Sequence, residues 1–434
     1  MMQHQPIARP RGEAPSTSTL WLATAPAGPH LPALSAEIET DVLVIGGGVA
    51  GLSTALHLAE AGIDAVVLEA QQPGAAATGW SGGLIAPDYI RHTPETIGPV
   101  LGRQAAERLT RMIGTSAATV FDLIARHAIA CDARQDGFYT PAHTEALATN
   151  QRRYAMQWHS RGYPVEFVEA AQARRAFGVE RYCGALRFAQ GGSINPLAYA
   201  RGLARAAAGQ GARIFTDSPV LSLDREGQRW VARTAGGAVS ARRLVLAANG
   251  GNAALHPALR ATALPLHVVQ FSTAPLAAEA RAHILPDGGA FTDKVPYLFT
   301  ARYDGAGRLI SGYPLSFLVR GPKGHLREAR RRLRQHFAGM ADPQIDHIWE
   351  GVAWVNPTLL PELYELPEGA LAIQACNGRG LSTNTAIGIE VAAMLATGRR
   401  DALSITPRTP SPIRMHAAAA MLPKLLMSMA YLSH

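Results

Sequence analysis

The sequence predicts an α/β protein in which a parallel, dinucleotide-binding sheet is split along the chain and interrupted by an antiparallel-sheet domain. Three observations predict it. Residues 41–70, DVLVIGGGVAGLSTALHLAEAGIDAVVLEA, read as strand, glycine turn, helix and strand. A second strand, glycine turn and helix return at LAIQACNGRGLSTNTAIGIEVAAMLATG, residues 371–398. Between them, residues 255–348 alternate strand-like runs (LPLHVVQFSTA, YLFTA, RLISGY) with turns and lose the βαβ rhythm.

The first unit opens with Asp41–Ile45, aliphatic and without alternation, as in a strand buried on both faces. From Val49 to Ala61 the apolar residues Leu52, Ala55, Leu56 and Ala59 recur at helical spacing, with Gly62 as a stop. Ala65–Leu68 is the second buried strand. The glycines have separate work: Gly46 permits the tight turn, Gly48 lets a pyrophosphate approach the helix N-terminus, and Gly51 lets helix and sheet pack closely. Glu69 closes the second strand about 20 residues on, where a carboxylate meets ribose hydroxyls. With no arginine beside it, a 2′-phosphorylated cofactor is disfavoured.

Further along, Leu109, Met112, Ile113, Val120, Phe121 and Ile124 mark a helix, and Glu145–Ser160 a second amphipathic one. Asn195 and Pro196 suit a helix N-cap and first turn, Gly209 and Gly211 end that helix, and a strand enters at Ala212. RRLVLAANGG is a strand with glycines at its end. The predicted organisation is an arm (1–36), three portions of nucleotide domain (37–100, 165–254 and 349–402), a helical segment beginning the second domain (101–164), the antiparallel sheet (255–348) and a tail (403–434). The second portion also carries elements of the substrate domain.

Composition narrows the classes. With 434 residues, 47% of them apolar, and 42 glycines, the chain reads as a soluble α/β enzyme. The net charge is +8, but the only lysines are Lys294, Lys323 and Lys424. The densest basic stretch, HLREARRRLRQHF, places Leu326, Ala329, Leu333 and Phe337 along one face, so a surface helix with a solvated arginine face is expected rather than a nucleic-acid stripe. Cys131, Cys183 and Cys376 form neither a disulfide framework nor a metal site. No metal, no nucleic acid, no secretory leader, no membrane span and a cytoplasmic setting are expected. The tail MHAAAAMLPKLLMSMAYLSH is ambiguous: docking on the body is expected, with peripheral contact to the inner membrane as the alternative.

These segments together resemble the glycine/D-amino acid oxidase (DAO) family of FAD-dependent oxidoreductases, over roughly residues 40–400, in the γ-glutamylputrescine oxidase-like branch. That branch opens with an arm like WLATAPAGPHLPAL, here from Trp21. The resemblance implies the DAO fold, FAD as cofactor, and oxidation of the C–N bond of an amine or amino acid by hydride transfer. The fingerprint would contribute Gly46, Gly48, Val49, Ala50 and Gly51, followed by Glu69 and Ala70. ATGWSGGLIAP is similar to the flavin loop, giving Thr78, Gly79, Ser81, Gly82, Gly83 and Leu84. Val220 would meet adenine, Ala248 and Gly250 end a sheet strand, and NGRGLSTNTAIGIEVA supplies Gly378, Arg379, Gly380, Leu381, Ser382 and Thr383. A helix from Ser382 to Thr397 would aim its N-terminus at the flavin's pyrimidine carbonyl.

Departures from the family pattern set further expectations. WEGVAWVNPTLLPEL has Asn356 and Thr358 where the pattern has Thr and Asp. No His lies in the flavin loop, where Ser81 precedes Gly82, so noncovalent FAD is expected, with Cys376 a small buried residue. The carboxylate clamp of sarcosine oxidase-like members is missing: Ser382 stands for its Lys and Ile85 for its Arg. Arg302 is left to meet an acidic group or to serve structure, and Trp80, Tyr297 and Trp354 are the candidate pocket walls. Ile310 replaces the family's Lys over the ring, and Lys294 is expected on a surface turn, so a quinone or carrier is favoured over dioxygen as acceptor. The alternatives are direct use of dioxygen with release of peroxide, and a non-redox flavin-fold subunit or membrane-surface partner.

Overall fold

The computed structural model describes residues 17–340, 342–374 and 377–433. Two eight-stranded sheets organise it. In the first, strands Leu371–Gln374, Ala238–Leu246, Glu37–Ile45, Ala65–Leu68 and Arg213–Phe215 lie side by side and parallel. Strand Glu362–Glu365 closes one edge antiparallel, and a hairpin of Ser222–Glu226 and Arg229–Arg233 pairs with Ala238–Leu246. The all-buried Ala65–Leu68 and the buried second half of Glu37–Ile45 explain the unbroken apolar runs: both faces of this sheet are covered. Helices Val49–Glu60, Pro196–Gly209 and Gly380–Thr397 pack together and share one core with the long helix Arg103–Arg126.

The second sheet runs in the order Ile345–Val355, Leu264–Pro275, Arg308–Pro314, Thr300–Tyr303, Ala290–Thr292, Phe138–Ala142, Gly184–Phe188, Val165–Glu169. It is antiparallel except where Ala290–Thr292 pairs parallel with Phe138–Ala142. Strand Ile345–Val355 pairs along its whole length with Leu264–Thr273, so the boundary expected at 349 falls inside a strand. The expected helix Glu145–Ser160 is Glu145–His159, capped by the Thr144 hydroxyl on the Leu147 amide.

Two other expectations change. The basic helix, Gly321–His336, does bury Ala329 and Leu333, but Arg332, Glu328, His325 and His336 are buried with them. Arg332 donates to the carbonyls of Tyr297 and Leu298 and lies 4.7 Å over the Tyr297 ring, so this is not a wholly solvated arginine face. The arm, where it is described, is no loose strap. Thr19 caps a short helix, Leu20–Thr24, whose Trp21 is buried, and Leu34 and Leu31 are tied to Ser218 and Thr216.

Candidate functional site

In a parallel α/β sheet, ligands bind outside the carboxyl ends of the strands. The fingerprint turn leaves the end of Glu37–Ile45, Glu69 ends Ala65–Leu68, and Ala248–Gly251 follows Ala238–Leu246. Gly378–Gly380 follows Leu371–Gln374, and Val220 lies five residues beyond Arg213–Phe215, past the Ser218 amide that bonds the Glu69 carbonyl. Five of the six expected cofactor segments therefore gather at one edge of one sheet.

The local geometry suits a dinucleotide. Gly46 has φ +117°, and a Cβ there would stand 2.8 Å from the Ala247 carbonyl. A Cβ at Gly51 would stand 2.0 Å from the Gly46 oxygen, so only glycine allows this helix to start against the strand. Helix Val49–Glu60 begins at Gly48 with no side-chain cap and no acid in its first turn, which leaves its N-terminal amides for an anion. Ala50 is buried in that first turn. The Glu69 carboxylate accepts from the Gly47 amide at 2.6 Å and the Gln71 amide at 2.9 Å, beside the exposed Ala70, and so stands at the fingerprint. A second helix, Gly380–Thr397, starts at Arg379, again with no side-chain cap and no acid in its first turn. Buried Leu381, Ser382 and Thr383 form that turn, and Ser382 Oγ donates to the Ala86 carbonyl. These residues fit FAD: two uncapped helix N-termini, a ribose-type carboxylate and a first glycine turn where Cβ atoms at Gly46 and Gly51 have no room.

The flavin loop is held from several sides. Thr78 Oγ1 lies 3.5 Å from the Val49 amide, and Gly79 packs on the Gly74 carbonyl. The Trp21 indole donates to the Ser81 carbonyl at 2.8 Å, and the Trp349 indole to the Trp80 carbonyl at 3.0 Å. Leu84 pairs with Ser193. Arg302 donates to the carbonyls of Gly82 (2.7 Å), Ile194 (2.9 Å) and Tyr303 (3.3 Å), and its guanidinium lies 4.8 Å over the Trp21 ring. Burial pulls its pKa down to about 10, which still leaves it charged near neutral pH.

Among the four candidate substrate-site residues, the three pocket walls and Arg302, the structure separates two from two. Trp354 lies against Gly250, where a Cβ would fall 1.9 Å from its ring, and its carbonyl accepts from the Asn377 amide. Trp80 touches Gly351 on the same strand. Trp354 stands near the end of its strand, and Trp80 ends the short helix Ala77–Trp80. The other two need correction. Arg302 is 1% exposed and committed to backbone carbonyls, so it clamps the flavin loop instead of facing a substrate. Tyr297 is buried in the second domain's core between Tyr313, Tyr431 and Arg332, because the tail helix covers it.

Lys294 is also corrected. It is not on an open turn: its ammonium lies 3.7 Å from Asp88 and 3.5 Å from the Ile90 carbonyl. Asp88, fully buried, accepts from Arg379 Nε at 2.6 Å, so two cations share one carboxylate beside the second glycine turn. Burial lowers the Lys294 pKa, opposed by Asp88. Ile310 is buried with Trp21 and Trp349. Cys376 lies outside the described residues.

The sequence reading missed Asp88, Asn252, Asn377 and Trp21. Asn252 bonds the Ala248 amide and the Ile373 carbonyl, pinning two strand ends together, and Asn377 bonds Asn356 and Leu360. Asp88 carried a readable signal, a lone acid in the apolar run LIAPDYI. Asn377 opens the quoted NGRG turn and Trp21 the quoted arm, but neither motif names a partner, and Asn252 carried no signal.

A family model described as DAO, FAD dependent oxidoreductase, matches residues 41–394. Gamma-glutamylputrescine oxidoreductase of Escherichia coli (strain K12) is 30% identical over 403 residues, covering 91% of this chain and 93% of that protein. Probable oxidoreductase OrdL of Rhizobium meliloti (strain 1021) is 28% identical over 392 residues, 90% of each chain. Among solved structures, L-proline dehydrogenase from P. horikoshii superposes with a TM-score of 0.72 at 17% identity, covering 86% of this chain and 96% of that one. Glycine oxidase from Geobacillus kaustophilus gives 0.68 at 19% identity over 83% and 95%. At those identities the likeness speaks for the fold.

Proposed function

The chain belongs to the DAO family of FAD-dependent oxidoreductases, and from that premise we propose that it oxidises the C–N bond of a small amine or amino acid to an imine, with noncovalently held FAD. The observation that carries the proposal is the gathering of three glycine turns, Glu69 and the Val220 segment at the carboxyl edge of one parallel sheet, under a loop clamped by Arg302 and Trp21. FAD, when bound, supplies the hydride acceptor.

The residues divide the remaining work. The amides at Val49 and Ala50 would receive the pyrophosphate, Glu69 would hold the ribose, and Val220 would meet the adenine. The N-terminus of Gly380–Thr397 favours negative charge on whatever faces it. Trp80 and Trp354 wall the substrate space and exclude water, which favours the unprotonated amine that can lose a hydride. Noncovalent attachment is supported by Ser81, which donates to the Thr78 carbonyl and is no ring nucleophile. Acid precipitation should leave the yellow colour in the supernatant, and colour in the pellet would refute it.

For the acceptor, Ile310 supports a quinone or carrier over dioxygen. A second reading, direct use of dioxygen, is favoured by the cluster of Lys294 and Arg379 around Asp88, which leaves one net positive charge at the second glycine turn. An amine screen with a quinone-like dye and with air-saturated buffer tests both. Turnover with no amine in either assay would refute the substrate class. Peroxide released at the dye-linked rate, and lost in Lys294→Met, would favour the second reading.

A further inference from the structure

The tail helix, Leu422–Leu432, is built inside out. Its polar and aromatic residues face the protein: Ser428 Oγ accepts from the Phe317 amide at 2.8 Å, Lys424 lies 4.7 Å over the Phe317 ring, and Tyr431 packs on Tyr297. Its outward face is apolar throughout. Leu422, Leu425, Leu426, Met429 and Leu432 are 47%, 49%, 48%, 60% and 76% exposed, and Leu318 on the adjoining loop is 51% exposed. A helix docked for packing alone turns its polar side outward. This one presents a continuous large apolar stripe to solvent, which marks an interaction surface.

Charge selects the occupant. No Asp or Glu follows Asp401, while Arg414 and Lys424 lie in that stretch. The adjoining loop and helix start add exposed Arg320 and Lys323 with no acid among residues 305–327. A second copy meeting this face across a two-fold axis would bring like charges together, which disfavours self-association. Among the described residues no helix is long and apolar enough to cross a membrane. A short apolar stripe bordered by cations suits the boundary between headgroups and acyl chains of an anionic bilayer.

We propose that the protein docks on anionic membrane surfaces through the outward face of Leu422–Leu432 and Leu318, with the exposed Arg414, Arg320 and Lys323 at the headgroups. The test is flotation of the full FAD-loaded chain with vesicles of phosphatidylcholine alone and of phosphatidylcholine mixed with phosphatidylglycerol. The wild type should float with the mixed vesicles and far less with the neutral ones, and high salt should weaken the binding. Leu425→Glu with Leu426→Glu should abolish flotation while leaving thermal unfolding and FAD content unchanged, since both side chains point outward. Leu318→Glu should weaken binding independently, on a separate element. Lys323→Gln should weaken binding to the mixed vesicles about fivefold. Failure of the wild type to float overturns the proposal, as does flotation of a correctly folded double variant. A wild-type dimer that the double variant converts to monomer, with no lipid binding by either, would assign the face to a second copy and also overturn it.

Discussion

Replacing Arg302 by Met keeps an unbranched apolar stem and removes the charged fork. Three backbone carbonyls, of Gly82, Ile194 and Tyr303, lose a charged donor in a site that is 1% exposed. Hydrogen bonds from a charged group are worth about 1.5–3 kcal/mol each, and the relieved burial of the charge offsets part of the sum. A net destabilisation of about 3–4 kcal/mol is expected, concentrated in the loop from Ser81 to Gly83 because two of the three carbonyls lie in it or against it. If FAD must reorder that loop on binding, its affinity should fall by about 10- to 100-fold, which is roughly 1.4–2.8 kcal/mol. Titrating apoprotein with FAD by flavin fluorescence, together with thermal unfolding of both forms, measures the two effects. Arg302→Lys should recover little, because an ammonium cannot span the three acceptors. An Arg302→Met variant with wild-type FAD affinity and a raised KM for an acidic amine would refute the reasoning and return Arg302 to the substrate.

Other outcomes follow from the same geometry. Glu69→Ala should weaken FAD by about 1.5–3 kcal/mol through loss of a charge-assisted contact, and an unchanged dissociation constant would remove Glu69 from the site. Gly83→Ala should impair loop and cofactor together, since a Cβ there would lie 2.2 Å from the Ile194 oxygen at φ +75°; full flavin occupancy in that variant would contradict the packing. The His336 pKa is pushed down to about 4, chiefly by burial, from the usual 6.5. The folded state therefore binds fewer protons than the unfolded one between those values, so this contribution to stability is complete above pH 6.5 and is lost as pH falls toward 4. The loss is about 3 kcal/mol at most. His336→Leu should start less stable at neutral pH yet change less on acidification, and an acid limb identical to wild type would exclude His336 as its source.

The sequence by itself determined what repeats locally. The glycine turns, the buried strand runs and Glu69 are legible because each needs a particular residue at a particular backbone position: no side chain fits at Gly46 or Gly51 whatever the rest of the fold does. The family followed from those segments in order. Tertiary structure decided everything that depends on residues distant in the chain. Arg302 reads equally as a contact for an acidic group or as a structural residue until its strand is laid against the flavin loop 220 residues earlier, where three carbonyls claim it. Lys294 reads as a surface lysine beside Asp293 until Asp88, 206 positions before it, comes within ion-pair distance. Tyr297 reads as a pocket wall until the tail returns to cover it. Trp21 lies in a stretch with no periodicity, and only its indole bond to the Ser81 carbonyl reveals a function. Propensity and spacing act over a few residues, whereas the partner that satisfies a buried charge or an indole is chosen by the packing of whole elements.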